Sequence, residues 1–181
     1  YYGFGGSPIV AGNLVILNAN AAGMTVKRST GELVWTSEAP PADRLNREIW
    51  DDNGATYMTP VLTTIAGRAC VLVYGWRGLS ARDTETGATL WSFDWRNYRR
   101  PMTADPVVTG DGVFISNESM PVPYDRLSQL IRVADGKPEL RWENHDVFCD
   151  TSTPLFVGGN LYAVLGGPYS ESPRPIRLTC L

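Results

Sequence analysis

Residues 81–91 read ARDTETGATLW, and this stretch contains the pattern that decides the fold. A short run that ends at Arg82 is followed by a turn at Thr86-Gly87 and then by a run that ends at Trp91. Glycine supplies the positive φ that tight turns require, so the stretch predicts two antiparallel strands closed by a tryptophan. The pattern recurs as TGELVW at residues 30–35 and, more loosely, from Asp135-Gly136 to Trp142.

A second motif recurs four times along the chain. In each copy a proline follows a small or polar residue and begins an apolar run. A Gly-containing turn and a second apolar run come next. Pro8, Pro60, Pro106 and Pro154 are separated by 52, 46 and 48 residues. Proline is tolerated at the first residue of a strand, so each unit reads as four short strands joined by turns.

A period near fifty residues, with four strands in each unit, is typical of β-propeller blades. We therefore predict an all-β fold with blade one at residues 5–37, blade two at 57–94, blade three at 103–144 and an incomplete blade four at 151–181. Residues 176–181 read as a third strand. We expect residues 1–181 to be part of a ring of about seven or eight blades. The only candidate helix in the sequence is a short one at residues 43–50.

The repeat positions indicate structural roles for several conspicuous residues. Trp35, Trp91 and Trp142 each end a unit, where a large flat ring would fill the wedge between neighbouring blades. Asp83 is expected to accept hydrogen bonds from the backbone of its own turn.

Composition narrows the possible functions. The net charge of −3 argues against nucleic-acid binding, and no apolar run is long enough for a membrane helix. His145 is the single histidine, which excludes a His-rich metal site within the chain. Cys70 and Cys180 lie in apolar runs that predict buried, inert thiols, whereas Cys149 lies in a polar connector. No catalytic, cofactor-binding or metal-binding residue is assigned.

Loop length indicates that one edge of the blades, which we call the long-loop edge, is the binding face. The turns between first and second strands and between third and fourth strands are short, whereas the segments at the opposite edge are long. Length variation confined to one face is typical of binding loops on a repeat scaffold. The predicted face contains aromatic, arginine and histidine side chains, namely Trp50, Tyr57, Trp76, Arg77, Trp95, Tyr98, Arg99, Arg100, Tyr124, Arg126, His145 and Tyr169.

The pattern at residues 81–91 resembles the tryptophan-docking repeat of pyrroloquinoline-quinone-repeat propellers, the quinoprotein alcohol dehydrogenase-like family. Blade two matches the repeat closely, blade one has Lys27 in place of the aspartate, and blade three lacks both the aspartate and the Thr-Gly. The resemblance is to uncharacterised bacterial secreted propellers and to outer-membrane β-barrel assembly lipoproteins. It implies a periplasmic or extracellular location.

Three functions follow from these observations, and the first is favoured. It is a non-catalytic scaffold that binds a protein or another ligand through the long-loop edge. The second is a dehydrogenase that uses pyrroloquinoline quinone and Ca²⁺ and whose cofactor site lies mostly outside residues 1–181. For it the resemblance implies adjacent cysteines and an acidic general base. The chain has no adjacent cysteines. The third is a propeller that acts on polysaccharide, for which the carbohydrate-suited aromatic and carboxylate side chains are the only support.

Overall fold

The computed structural model describes residues 5–19, 23–37, 57–75, 78–95, 104–110, 112–117, 127–149, 152–167 and 174–181. They form fifteen strands in four antiparallel sheets. The possible helix at residues 43–50 lies outside the described residues. Within the described part of the chain, no helix is long and apolar enough to cross a membrane.

Each sheet consists of consecutive strands, so each is a meander of the kind that makes a propeller blade. Blade one contains β1 (Ile9–Ala11), β2 (Leu14–Leu17), β3 (Met24–Lys27) and β4 (Leu33–Thr36). Blade two contains β5 (Val61–Ile65), β6 (Arg68–Gly75), β7 (Gly78–Arg82) and β8 (Thr89–Asp94). Blade three contains β9 (Val107–Thr109), β10 (Gly112–Asn117), β11 (Leu127–Ala134) and β12 (Lys137–Asn144). Blade four contains β13 (Leu155–Val157), β14 (Asn160–Gly167) and β15 (Arg174–Cys180).

The predicted all-β fold is therefore confirmed. The first strand of every blade begins directly after its proline, as the repeat motif predicted. The chain divides into two compact units, Tyr1–Pro101 and Met102–Leu181, so that each unit contains two blades.

Each unit has a core built from the faces of its own sheets. In the first unit, Ile16 and Trp35 of blade one pack with Val71 and Val73 of blade two. In the second unit, Ala163 and Leu165 of blade four pack with Ala104 and Cys149. Strand β6 is buried almost throughout from Cys70 to Gly75, which explains its continuous apolar sequence.

Candidate functional site

The turns that join the third and fourth strands of blades one and two have the same backbone geometry. In blade two, the Asp83 amide donates to the Ala88 carbonyl and the Gly87 amide donates to the Asp83 carbonyl. In blade one, the Lys27 amide donates to Glu32 and the Gly31 amide donates back to Lys27. The two turns also correspond in sequence, because Gly31 and Gly87 each lie four residues before the closing tryptophan of their blade.

Asp83 holds the blade-two turn together with its carboxylate. Its Oδ1 accepts hydrogen bonds from the Glu85 amide at 3.1 Å, the Thr86 amide at 2.9 Å and the Thr86 hydroxyl at 2.8 Å. These donors, the Thr86 backbone amide foremost, lower the pKa of Asp83, because they stabilise its ionised form. Blade one replaces this arrangement with an ion pair across the turn, in which Lys27 Nζ lies 2.7 Å from Glu32 Oε2.

The Asp83 turn should therefore be sensitive to acid. A carboxyl whose folded-state pKa is lowered contributes stability above its unfolded pKa, about 3.9, and that contribution is lost as the pH falls through the folded-state pKa. We expect Asp83→Ala to lower the melting temperature by about 2–4 °C at pH 7, and by less near pH 3. Thermal unfolding of both proteins across this pH range measures the difference. A deficit that stays equal at both pH values would contradict the ionic role of Asp83.

Trp35 occupies the junction between blades one and two. Its side chain is buried, and its indole Nε1 donates to the Thr84 carbonyl of the blade-two turn at 3.0 Å. The ring lies against Gly87, because a Cβ on Gly87 would fall 2.6 Å from Trp35 Cδ2. Gly87 has a φ of 71°, and its carbonyl accepts a hydrogen bond from Arg82. The tryptophan of blade one thus packs on the turn of the next blade.

The other two repeat tryptophans have different surroundings. Trp91 is buried to the same extent as Trp35, with 7% of its surface exposed. Trp142 is 37% exposed, and its ring lies tilted against Phe114 of its own blade, with the centroids 6.3 Å apart.

The turn between the third and fourth strands of blade three explains why this blade matches the repeat poorly in sequence. Its third and fourth strands are joined by a two-residue turn in which Asp135 and Gly136 both have positive φ, 51° and 72°. This is the geometry of a type I′ hairpin, for which Asp-Gly is a preferred sequence. The six residues of the blade-two turn are thus replaced by the shortest hairpin connection.

A β-bulge precedes the tryptophan in all three complete blades. The register shifts between the pairs Thr25↔Trp35 and Val26↔Leu33, which leaves Val34 as the extra residue. Leu90 and Arg141 occupy the same position before Trp91 and Trp142. A bulge bends a strand and increases its twist. In these blades the bend changes the direction of the strand end that carries the tryptophan. The sequence analysis missed these bulges, because a one-residue insertion inside an apolar run has no composition signal.

Polar residues before the repeat prolines connect the blades within each unit. The Ser7 amide lies 3.4 Å from Thr59 Oγ1, and the Asp105 amide donates to Thr153 Oγ1 at 3.0 Å. Each pair joins equivalent positions one repeat apart, 52 and 48 residues along the chain. This role of the residue before proline was also missed, although its recurrence as a small or polar residue in all four repeats was the available signal.

Most of the predicted binding face lies outside the described residues. This applies to Trp50, Trp76, Arg77, Tyr98, Arg99, Arg100, Tyr124, Arg126 and Tyr169. Three members can be placed. Trp95 is buried and packs edge-on against Tyr74, whose hydroxyl donates to the Trp95 carbonyl, so this member of the predicted face packs its connector onto blade two. Tyr57 lies half-buried with its ring against Gly5.

His145 is exposed and begins the connector that follows β12. Its Nε2 lies 3.2 Å from Glu143 Oε1, and 63% of its side-chain surface is accessible. The other oxygen of Glu143 accepts a hydrogen bond from Gln129 at 2.6 Å. The three side chains therefore form a polar row at the end of blade three. Such a row can recognise a polar or charged partner.

The connector after His145 is held closely to the end of blade three. Asn144 Oδ1 accepts from the amides of Asp146 and Val147 at 2.7 and 2.9 Å. Ser128 Oγ donates to the Val147 carbonyl at 2.6 Å, and the Cys149 amide donates to Ser116 Oγ at 2.7 Å. This part of the long-loop edge is therefore held by a series of hydrogen bonds, of which the Cys149–Ser116 bond is buried.

Two cysteines were predicted to be buried, and Cys70 is buried whereas Cys180 is exposed. Cys70 is buried, and burial raises its pKa, which fits an inert thiol. Cys149 is fully buried although it follows a polar connector, and burial raises its pKa to about 11. The prediction of a buried Cys180 was wrong, because this thiol is exposed on strand β15.

The described residues do not fit a pyrroloquinoline quinone and calcium site. They contain no group of three or more His, Cys, Asp or Glu side chains that could hold a metal ion. Cys70, Cys149 and Cys180 are all free thiols, and none has a cysteine as its neighbour in the sequence.

Comparison with known proteins places these features in a family. A pyrroloquinoline-quinone-repeat family model described as "Outer membrane protein assembly factor BamB" matches residues 3–142. Among solved structures, BamB from Moraxella catarrhalis has a TM-score of 0.51 at 15% identity, over 89% of this chain and 41% of that chain. The computationally designed Ika4 protein has a TM-score of 0.56 at 10% identity, over 99% and 92% of the two chains. A search of curated proteins found no match. The chain thus spans about two fifths of the BamB structure it resembles.

Proposed function

We propose that this chain is a non-catalytic scaffold that binds a protein partner in the cell envelope. The reason is that the chain belongs to the family of the outer membrane protein assembly factor BamB. The observation that carries this proposal is the family match itself, which extends from the start of blade one through Trp142 of blade three. The name of that family describes a factor that acts on outer membrane proteins. By extension, the partner proposed here is a protein of the outer-membrane assembly process.

The long-loop edge is the proposed contact surface, and the end of blade three supports this choice. There the connector is pre-organised by hydrogen bonds to Asn144 and Ser128, while His145 and Glu143 remain accessible to a partner. An ordered loop loses less conformational entropy on binding than a mobile one, so this arrangement favours affinity. Loops positioned by a rigid scaffold are where binding residues concentrate.

Site-specific photo-crosslinking in the bacterial envelope tests this proposal. A photoreactive phenylalanine analogue placed at His145 should give a discrete crosslink to an outer-membrane assembly protein, identified by mass spectrometry. The matched control is the same analogue at Lys137, because both positions are exposed and lie at opposite ends of β12. We expect the yield at position 145 to exceed the yield at position 137 by about tenfold, as expected when only one edge forms a packed interface.

Two results would overturn the proposal. Equal crosslinking at the two positions would show that the long-loop edge has no special role. Absence of any crosslink at position 145, in a protein that folds normally, would remove the end of blade three from the contact surface.

A further inference from the structure

The end of strand β12 presents a carboxylate that has a neighbour on each of its two oxygens. Glu143 Oε2 accepts a hydrogen bond from Gln129 Nε2 at 2.6 Å, and Glu143 Oε1 lies 3.2 Å from His145 Nε2. The Glu143 side chain is nevertheless 40% exposed. A carboxylate that is already held in place and still open to solvent needs little reorganisation to meet a partner, so the ordering cost of binding there is small.

Gln129 is a buried side chain whose hydrogen-bonding capacity is only partly used. The residue is 6% exposed and lies beside Glu143, because the two residues pair across β11 and β12. A carboxylate can only accept hydrogen bonds, so the amide nitrogen must face Glu143 and the amide oxygen is left over. Among the described residues, none donates a hydrogen bond to Gln129 Oε1. A buried acceptor without a donor costs free energy, and a donor supplied by a bound partner would remove that cost.

The charge around this carboxylate is negative. Residues 143–146 read ENHD, so they contribute two carboxylates and no lysine or arginine. Asp146 is exposed, and its backbone amide is held by Asn144 Oδ1 at 2.7 Å. No lysine or arginine in the part of the chain that the structure describes forms an ion pair with Glu143. The end of blade three is therefore complementary in charge to a cationic group.

We infer that Glu143, together with Gln129, binds an arginine side chain of the protein partner, a conclusion that rests on the proposed function. A guanidinium group has five donors in a planar fork and no acceptor, and the unused groups of this site are acceptors. Two of those donors can bind the Glu143 carboxylate side by side. The terminal torsion of a glutamine is soft, so a small turn of the Gln129 amide can present Oε1 to a further donor.

Other donor groups match this site less well than arginine does. A lysine ammonium is a compact point charge, and it lacks the planar fork that pairs with both oxygens of a carboxylate. A hydroxyl or an amide would supply a donor, but it would leave the charge of Glu143 uncompensated once the contact excludes water. Arginine is also enriched among the residues that contribute most to binding at protein interfaces.

Photo-crosslinking combined with charge substitution tests the arginine site. The photoreactive phenylalanine analogue stands at position 145 of the intact protein in the bacterial envelope, and the yield of the partner crosslink is measured with and without Glu143→Gln. This substitution keeps the shape of the side chain and removes its charge, so the yield should fall about tenfold. The matched control is Glu139→Gln, which removes the same charge from an exposed position of the same strand and should leave the yield unchanged.

Charge exchange then identifies the arginine of the partner. Mass spectrometry locates the crosslinked segment of the partner, and each arginine in that segment is replaced by glutamate in turn. One of these replacements should lower the yield as much as Glu143→Gln does, and Glu143→Arg should restore it. Such a rescue also excludes misfolding as the cause of the loss, because exchanging two charges across a contact cannot refold either protein.

The results separate the arginine site from the proposed function. No crosslink at position 145 with Glu143 unchanged would overturn both. A crosslink whose yield is unaffected by Glu143→Gln, or falls equally with Glu139→Gln, would overturn the arginine site and leave the proposed function standing. A yield that falls with Glu143→Gln but is lowered by no arginine replacement in the partner would also overturn it.

Discussion

Replacing Trp35 with alanine should lower the free energy of unfolding by about 3–5 kcal/mol, the range for removing a large buried ring. The substitution empties the junction between blades one and two, where the ring packs with Ile16, Val71 and Val73. It also leaves the Thr84 carbonyl without the indole donor. Urea unfolding followed by circular dichroism measures the loss.

Trp142→Ala is the matched control for this prediction. Trp142 ends the same kind of strand after the same kind of bulge, but it is 37% exposed, whereas Trp35 is 7% exposed. Its removal should cost about 1–2 kcal/mol, because less apolar surface returns to water. Equal losses for the two variants would show that the contact of Trp35 with the next blade contributes little beyond its own hairpin.

Replacing Gly87 with alanine should have the second largest effect, about 2–4 kcal/mol. The positive φ of 71° disfavours any L residue by about 1 kcal/mol. In addition, the new methyl group would lie 2.6 Å from Cδ2 and 2.7 Å from Cγ of Trp35, and such overpacking costs about 1–3 kcal/mol. The ring cannot move away without leaving the core.

Gly31→Ala separates the two contributions to this effect. Gly31 has a φ of 72° at the equivalent position of blade one, but a Cβ there would meet nothing within 4 Å. It should therefore cost only about 1 kcal/mol. In a Trp35→Ala background, the excess cost of Gly87→Ala over Gly31→Ala should vanish. If the excess persists without the ring, the clash with Trp35 is not its source.

The binding face shows a limit of sequence reasoning. Trp95 is a candidate of the predicted face because it follows the last strand of blade two, and it packs against Tyr74 in the interior. A connector residue next to a strand end can turn inward when a neighbouring strand offers an apolar contact. The sequence contains no local signal of that choice, because it depends on a strand about twenty residues away.

The architecture could be predicted from the sequence because its signals are local and repeated. Turn residues such as Gly87 and Asp135-Gly136 specify backbone conformations directly, and the recurring prolines mark where each blade begins. Because successive side chains of a strand point to opposite faces of the sheet, the sequence also indicates which residues of a strand share a face. These signals require only neighbouring residues, so four blades were evident from their spacing.

Burial and pairing between blades were decided by the tertiary structure alone. Trp35 and Trp142 are equivalent in the repeat, but the ring of Trp35 lies on the turn of blade two, whereas the ring of Trp142 lies against Phe114 of its own blade. Cys149 is buried although it lies in a polar connector, and Cys180 is exposed although it lies in an apolar run, since burial depends on which residues pack against a side chain. The sequence thus determined the repeating unit, whereas the tertiary structure decided which copies of each surface are covered, because coverage is a long-range property that equivalent residues need not share.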